Sequence, residues 1–186
     1  METEHQSMLV LIVDCNPKTW SLKGELLKQS SHNQSVIHSN NIQLDDVIRS
    51  IIFFISSYCL LHRYNQVVII ANHPNGPRIL YPRRDNNNDD DDDDNNNIDG
   101  FIPVMHILPS IITQGILSTC QDIETLTADN MKKSSLSQCL SLSLCIISKQ
   151  LKKLSKLQPR ILICQATKDD STTYNAVMNS IFSAQR

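Results

Sequence analysis

The carboxylate of Asp14 follows six consecutive apolar residues, Met8 to Val13, and is itself followed by Cys15, Asn16 and Pro17. A second acidic pair, Asp169 and Asp170, follows the apolar run at Arg160 to Gln165. A short β-branched run closed by turn formers reads as a strand buried on both faces, as in a parallel sheet. Side chains just past such strands stand at the sheet rim, where open α/β folds bind ligands. If the two strands are neighbours, their carboxylates converge there. Three readings then compete: metal-dependent phosphoryl transfer, a metal site that grips a ligand, and a plain polar rim.

Phosphoryl transfer wants a second carboxylate two residues after Asp14 and a fixed lysine, and Cys15-Asn16-Pro17 breaks that requirement. A nucleophilic Cys15 wants a helix N-terminus or a histidine to lower its pKa. His73 and His106 are candidates, but nothing in their spacing brings them to it. With four glycines in the chain and no G-x-G-x-x-G or Walker pattern, a glycine-rich phosphate cradle is excluded. No catalytic residue is assigned.

The elements that must hold these side chains follow from periodicity. Ser21 to Asn40 is polar and aperiodic and reads as a loop with one helical turn. Leu44, Val47, Ile48, Ile51, Ile52, Ile55 and Cys59 then recur at helical spacing, with Asn41 as cap and Asp45 and Asp46 in the first turn. Phe53 and Phe54 widen the stripe, so this helix is expected to be deeply buried. Gln66 to Ala71 is a second buried strand, and Asn72 to Pro77 is a dense turn signal. Arg78 to Tyr81 follows as a short antiparallel strand at the sheet edge.

Ile112, Ile116, Cys120 and Ile123 mark a helix starting near Pro109. Leu136, Leu140, Leu144, Ile147, Leu151 and Leu154 mark the next, capped by Ser134 or Ser135. Arg160 to Gln165 reads as another buried strand. A last helix carries Tyr174, Val177, Met178, Ile181 and Phe182 on one face. The order strand, helix, strand, strand, helix, helix, strand, helix predicts an α/β fold with a mostly parallel sheet.

Length and composition fit one domain, 1–186, with a real core: 186 residues, 40% of them hydrophobic. Eight of the nineteen acidic residues (Asp85, Asp89 to Asp94, Asp99) form one tract, and removing them from the net −2 leaves +6. That excess could serve a large assembly or nucleic acid, but it reads as an ordinary solvated surface, because no basic cluster is interleaved with aromatics. The Asp/Asn-rich segment 85–100 is expected to be a disordered insertion. It lacks the interleaved spacing and turn glycine of a calcium loop. The six cysteines show no C-x-x-C spacing and read as small core residues in a reducing compartment. No signal peptide or membrane span is expected, since the longest apolar stretch, Ile51 to Leu61, falls short of the ~20 residues a span needs. The sequon at Asn33 is therefore expected to be idle in a soluble intracellular protein.

Three segments carry a resemblance: Leu9 to Pro17; Val67 to His73 with Ile79 to Pro82; and Arg160 to Ala166. With Asn179 to Gln185, in this order and spacing, the chain from about Met8 to Arg186 resembles one family. That family is the smaller of the two von Willebrand factor A-like core subunits of the general transcription and DNA repair factor TFIIH. The resemblance implies a doubly wound sheet of order 3-2-1-4-5-6 whose third strand is antiparallel. It also implies a structural, non-enzymatic role in transcription initiation and nucleotide excision repair, in the nucleus. The implied partner is the RING-type zinc domain of the second von Willebrand A-containing subunit, with no direct DNA contact.

Metal-binding members of the wider superfamily carry Asp-x-Ser-x-Ser after the first strand. The matching positions here are Asp14, Asn16 and Lys18, with Ser135 and Asp169 as the remaining candidates. Lys18 puts a cation where a magnesium ligand belongs. The expectation is therefore no metal, with Asp14 accepting hydrogen bonds from neighbouring backbone amides. The alternative function is an adhesion module that binds its ligand through a divalent metal. The family continues with two more strands, their helices and a four-cysteine zinc finger, so no zinc or other cofactor is expected in these residues. The fourth strand should then be an unpaired apolar edge, prone to self-association.

Overall fold

Strand β1 (Ser7–Asp14) is buried from Met8 onward, as a run apolar on both faces should be in the middle of a sheet. The computed structural model describes residues 6–20, 44–82, 101–103, 105–124, 136–168 and 171–185. After β1 come α1 (Leu44–Leu61), β2 (Gln66–His73), β3 (Gly76–Tyr81), α2 (Leu108–Glu124), α3 (Leu136–Lys153), β4 (Gln158–Cys164) and α4 (Tyr174–Ala184). This is the order expected from periodicity. The sheet runs β3-β2-β1-β4, with β2 and β4 parallel to β1 and β3 antiparallel to β2. The fold is α/β, with a mostly parallel sheet. Its free margins among the described residues are β3 and β4.

The two-residue period of the strands sorts the core into two layers. Leu9, Leu11, Val13, Val67 and Ile69 face α1 and α2. Met8, Val10, Ile12, Val68 and Ile70 face the other way, onto α3, with Val177 of α4 at its margin. The hairpin between β2 and β3 closes tightly, with His73 paired to Gly76. Gly76 there has φ of +127°, a conformation that only glycine adopts without strain. Arg78 on β3 and Asp122 on α2 form an exposed ion pair, worth little by itself.

Four expectations are corrected. Phe53 and Phe54 do not deepen the burial of α1: they are 76% and 45% exposed, and Ile48, Ile51, Ile55 and Tyr58 form the packed face. The stripe is wider than the sheet beneath it, so its outer flank stays in water. On α3 the packed face is rotated toward Cys139, Ser143 and Gln150, leaving Leu151 exposed and Leu144 only half-buried. The small side chains at 139 and 143 let the helix lie close to the sheet. Ser143 satisfies its hydroxyl on the Cys139 carbonyl at 2.7 Å. Strand β4 is not buried, because among the described residues nothing pairs with its outer side. Correspondingly, only Ser180 of α4 is buried, and Tyr174, Ile181 and Phe182 are exposed. Of the cysteines, Cys15, Cys120 and Cys139 are core residues, Cys59 and Cys164 are half-buried, and Cys145 is exposed. The Ser21–Asn40 loop, the Asn41 and Ser134/Ser135 caps and the 85–100 tract lie outside the described residues.

The two faces of α1 are separable by mutation. Ile55→Ala is expected to cost about 2–5 kcal/mol, the range for a buried aliphatic truncated in a close-packed core. Phe53→Ala should stay within about 0.5 kcal/mol, as for an exposed position. Urea denaturation of both variants checks this, and equal losses would contradict the orientation of α1.

Candidate functional site at the β1 rim

The residues after β1 form a helix start as well as a turn. Residues 17–20 are helical, and Trp20 N–H donates to the Asn16 carbonyl at 3.4 Å. Asn16 is its cap: Oδ1 accepts the Lys18 amide at 3.2 Å. Pro17 takes the first helical position, where its missing N–H costs nothing. Thr19 Oγ1 also donates to the Asn16 carbonyl, at 2.9 Å.

Asp14 is 3% exposed and holds this start against the exit of β4. Its Oδ1 accepts the Asn16 amide at 3.0 Å. Its Oδ2 accepts three donors: the Ala166 amide at 3.1 Å, the Thr167 amide at 2.6 Å and the Thr167 hydroxyl at 2.6 Å. The indole of Trp20 donates to the Asp14 carbonyl at 2.8 Å. β1 and β4 are thus neighbours, paired through Leu11 with Leu162 and Val13 with Cys164. Their ends do converge.

A divalent ion does not fit the donors present. Magnesium wants several free hard oxygens in an octahedron. Oδ2 of Asp14 already takes three hydrogens, the Asn16 oxygen is spent on a helix cap, and Lys18 is exposed beside them. Ser135, Asp169 and Asp170 lie outside the described residues. Among the described residues no cluster of three His, Cys, Asp or Glu is placed to hold a metal.

Cys15 sits buried between this carboxylate and two other thiols. Cys120 Sγ donates to the Cys15 carbonyl at 3.0 Å, Cys15 Sγ to the Val13 carbonyl at 3.6 Å, and Cys139 Sγ to Asn72 Oδ1 at 3.7 Å. Its hydrogen bond with Cys120, then burial, then nearby negative charge including Asp14 push the Cys15 thiol well above its ordinary value. It is held as a thiol, the opposite of what a nucleophile needs. His73 closes β2 with Nδ1 accepting the Asn75 amide at 3.0 Å, whereas His106 is exposed before α2. Trp20 and Thr167 were not singled out in the sequence. The Asn16-Pro17 pair, a cap followed by a first-turn proline, was the available signal.

Asp14→Ala strands three buried or part-buried backbone amides at about 1–3 kcal/mol each. A stability loss of at least about 3 kcal/mol is expected, and Thr167→Val should lose about 1.5–3 kcal/mol as one bond to a charged group. Chemical denaturation measures both. A near-neutral Asp14→Ala would remove the clamp from the account.

A pH test addresses His73. Burial first, then the Arg78 guanidinium, push its imidazole below the ordinary value, with Asp122 acting in the other direction. The unfolded chain therefore takes up this proton at higher pH than the folded chain. Stability is complete above about pH 6.5 and falls as the pH drops below it. Urea midpoints between about pH 6.5 and 5 should fall in the wild type. The fall should be shallower in His73→Asn, whose Oδ1 can still accept the Asn75 amide. Parallel slopes would exclude His73 as the cause.

Comparison with known proteins supplies what the geometry alone does not. The family model described as transcription factor Tfb4 matches residues 6–186. The "General transcription and DNA repair factor IIH subunit TFB4" of Kluyveromyces lactis is 30% identical over 186 residues, spanning 97% of this chain and 53% of that protein. The Arabidopsis thaliana protein of the same name is 28% identical, over 97% of this chain and 54% of its own length. The chain thus spans about half the length of these curated relatives. A solved structure, described as the crystal structure of the TFIIH p34 N-terminal domain, superposes with a TM-score of 0.69 at 23% identity. It covers 96% of this chain and 75% of its own, and at that identity it speaks for the fold. On the match across residues 6–186, the chain belongs to the transcription factor Tfb4 family.

Proposed function

We propose that this chain serves as a structural, non-catalytic part of the TFIIH core in the nucleus. It acts in RNA polymerase II transcription initiation and nucleotide excision repair through protein–protein contacts. The family match over residues 6–186 is the observation that carries this reading. The rim geometry supports it, because polar groups that could do chemistry there are consumed by one another: Asp14 by amides, Asn16 by a helix start, Cys15 by its thiol neighbour. The partner in this reading is another core subunit, specifically the RING-type zinc domain of the second von Willebrand A-containing one. No DNA contact is part of it, since basic residues do not cluster with aromatics.

Two measurements test it. Affinity-tagged chain incubated in nuclear extract should bring down TFIIH core subunits on immunoblotting, and their absence would sink the reading. Magnesium titration followed by NMR should leave the Asp14 side-chain resonances in place. Saturable shifts there would favour instead a metal-dependent adhesion module.

A further inference from the structure

Between Asp129 and Asp169 lie eight basic residues and no acidic one, so this stretch carries its positive charge uncompensated. Four of the eight, Lys149, Lys152, Lys153 and Lys156, recur at three- and four-residue spacing over the end of α3 and the turn after it. That spacing puts them on one face. All four are exposed, while Cys139, Ser143, Ile147 and Gln150 pack toward the sheet. The lysines form a stripe that points away from the core, roughly 10 Å long at about 1.5 Å per residue.

Among the described residues no carboxylate neutralises this stripe. α3 begins at the Asp14 rim, where Cys139 Sγ meets Asn72, the sheet partner of Asp14. Its lysines therefore stand at the opposite end of the sheet from Asp14. Asp45 and Asp46 belong to α1, and Asp122 and Glu124 to α2, the two helices on the other face. The ion pairs Arg49–Asp45 and Arg78–Asp122 are made there. A continuation of the sheet does not cover the stripe either. α4, which follows β4, packs against α3, so elements added beyond β4 extend past α4 and not over the outer face of α3.

The helix dipole accounts for only part of the pattern. It favours the last-turn cations Lys152 and Lys153. Lys149 precedes that turn and repels Lys153 four residues on, and Lys156 lies beyond the helix. The stripe ends in a hollow of about 290 Å³ lined by Gln6, Lys153, Ser155 and Lys156, with Leu154 and Leu157 beside them. Two ammonium groups, a hydroxyl and an amide can all donate there.

We propose that this stripe and hollow bind an acidic segment of another protein, a run of Asp or Glu lying along α3 with one carboxylate in the hollow. Charge complementarity names the partner: a lysine stripe with no internal counter-charge steers and holds carboxylates. Nucleic acid is the poorer fit. Proteins that grip it make about six to ten phosphate contacts, and the stripe holds neither an arginine fork nor an aromatic stacking face. The surface lies away from the Asp14 rim, and the inference stands whether or not the chain serves in the TFIIH core.

Fluorescence anisotropy of a labelled decaglutamate peptide with the purified chain tests the proposal. The expected result is saturable binding at low salt that weakens at least tenfold by about 0.3 M salt, because exposed charges are screened. Lys149→Glu with Lys153→Glu should weaken binding at least tenfold with unchanged circular dichroism. Arg63→Glu with Lys168→Glu makes the same change in net charge beside α1 and at the rim, both exposed positions, and should leave affinity within about twofold. Should the first pair misfold, Lys152→Gln with Lys156→Gln removes charge without reversing it and is read against the same control. Absence of binding overturns the proposal, and so do equal losses in stripe and control pairs, which would make the attraction a matter of net charge alone. A 20-base-pair DNA duplex that binds the stripe more tightly than the peptide overturns it too. So does peptide binding that appears only when Asp89→Ser to Asp94→Ser are made together, since the chain's own acidic tract would then be the occupant. None of these outcomes decides membership of TFIIH, which the nuclear-extract experiment reads separately.

Discussion

One carboxylate joins the central strand β1 to the marginal strand β4 where their own hydrogen bonds stop. The β1–β4 ladder ends at Val13 and Cys164. Beyond it, the amides of Ala166 and Thr167 would face the protein interior with no strand to bond to. Asp14 reaches across and serves as the next rung, taking both amides and the Thr167 hydroxyl on one oxygen. Buried backbone donors must be satisfied somewhere, and a carboxylate in a water-poor setting satisfies them more strongly than a neutral group. Its other oxygen and its own carbonyl fix the Asn16 amide and the Trp20 indole. The first helical turn, the exit of β1 and the exit of β4 are therefore positioned by a single side chain.

That arrangement bears on what the rim can do. A site that binds an ion or activates a nucleophile keeps coordination positions or lone pairs in reserve. Here they are spent within the fold. The Cys15 thiol is moved away from ionisation by Cys120 and burial. The same fold supports catalysis, adhesion and scaffolding in different proteins, so architecture alone does not choose among them. The choice rests on where the polar atoms of the rim already point.

Much of the architecture was legible because the strands announce themselves. Met8 to Val13 and Val67 to Ile70 are unbroken apolar runs, and only a central parallel strand needs both faces apolar. The hairpin at His73 to Gly76 was legible from Pro, Asn and Gly in a row. The part Asp14 plays with neighbouring amides was read from its place past the strand, but its partners were not. Ala166 and Thr167 lie 152 and 153 residues away, and no local pattern announces a contact of that reach. Helix faces were read less well than helix positions. Periodicity locates a stripe, yet α1 and α3 carry apolar residues over more than half their circumference. Which third of that circumference packs is set by the sheet: Ile55 rather than Phe53, Ser143 rather than Leu144.

The misread faces share a physical cause. Leu162 and Ile163 on β4, Ile181 and Phe182 on α4, and Phe54 and Leu61 on α1 are all apolar residues at element spacing, and all are exposed. Apolar periodicity records which side chains are covered in the state that functions, and exposure records which are covered within the described residues. Where the two agree, as at Ile12 or Ile116, the residue belongs to the core. Where they disagree, the missing cover lies outside these elements. The disagreement centres on β4, the strand whose outward N–H and carbonyl groups also lack a ladder among the described residues. Apolar surface and open backbone valences coincide there because one kind of neighbour, a further strand with its flanking layers, satisfies both. A ligand or an ion would satisfy neither.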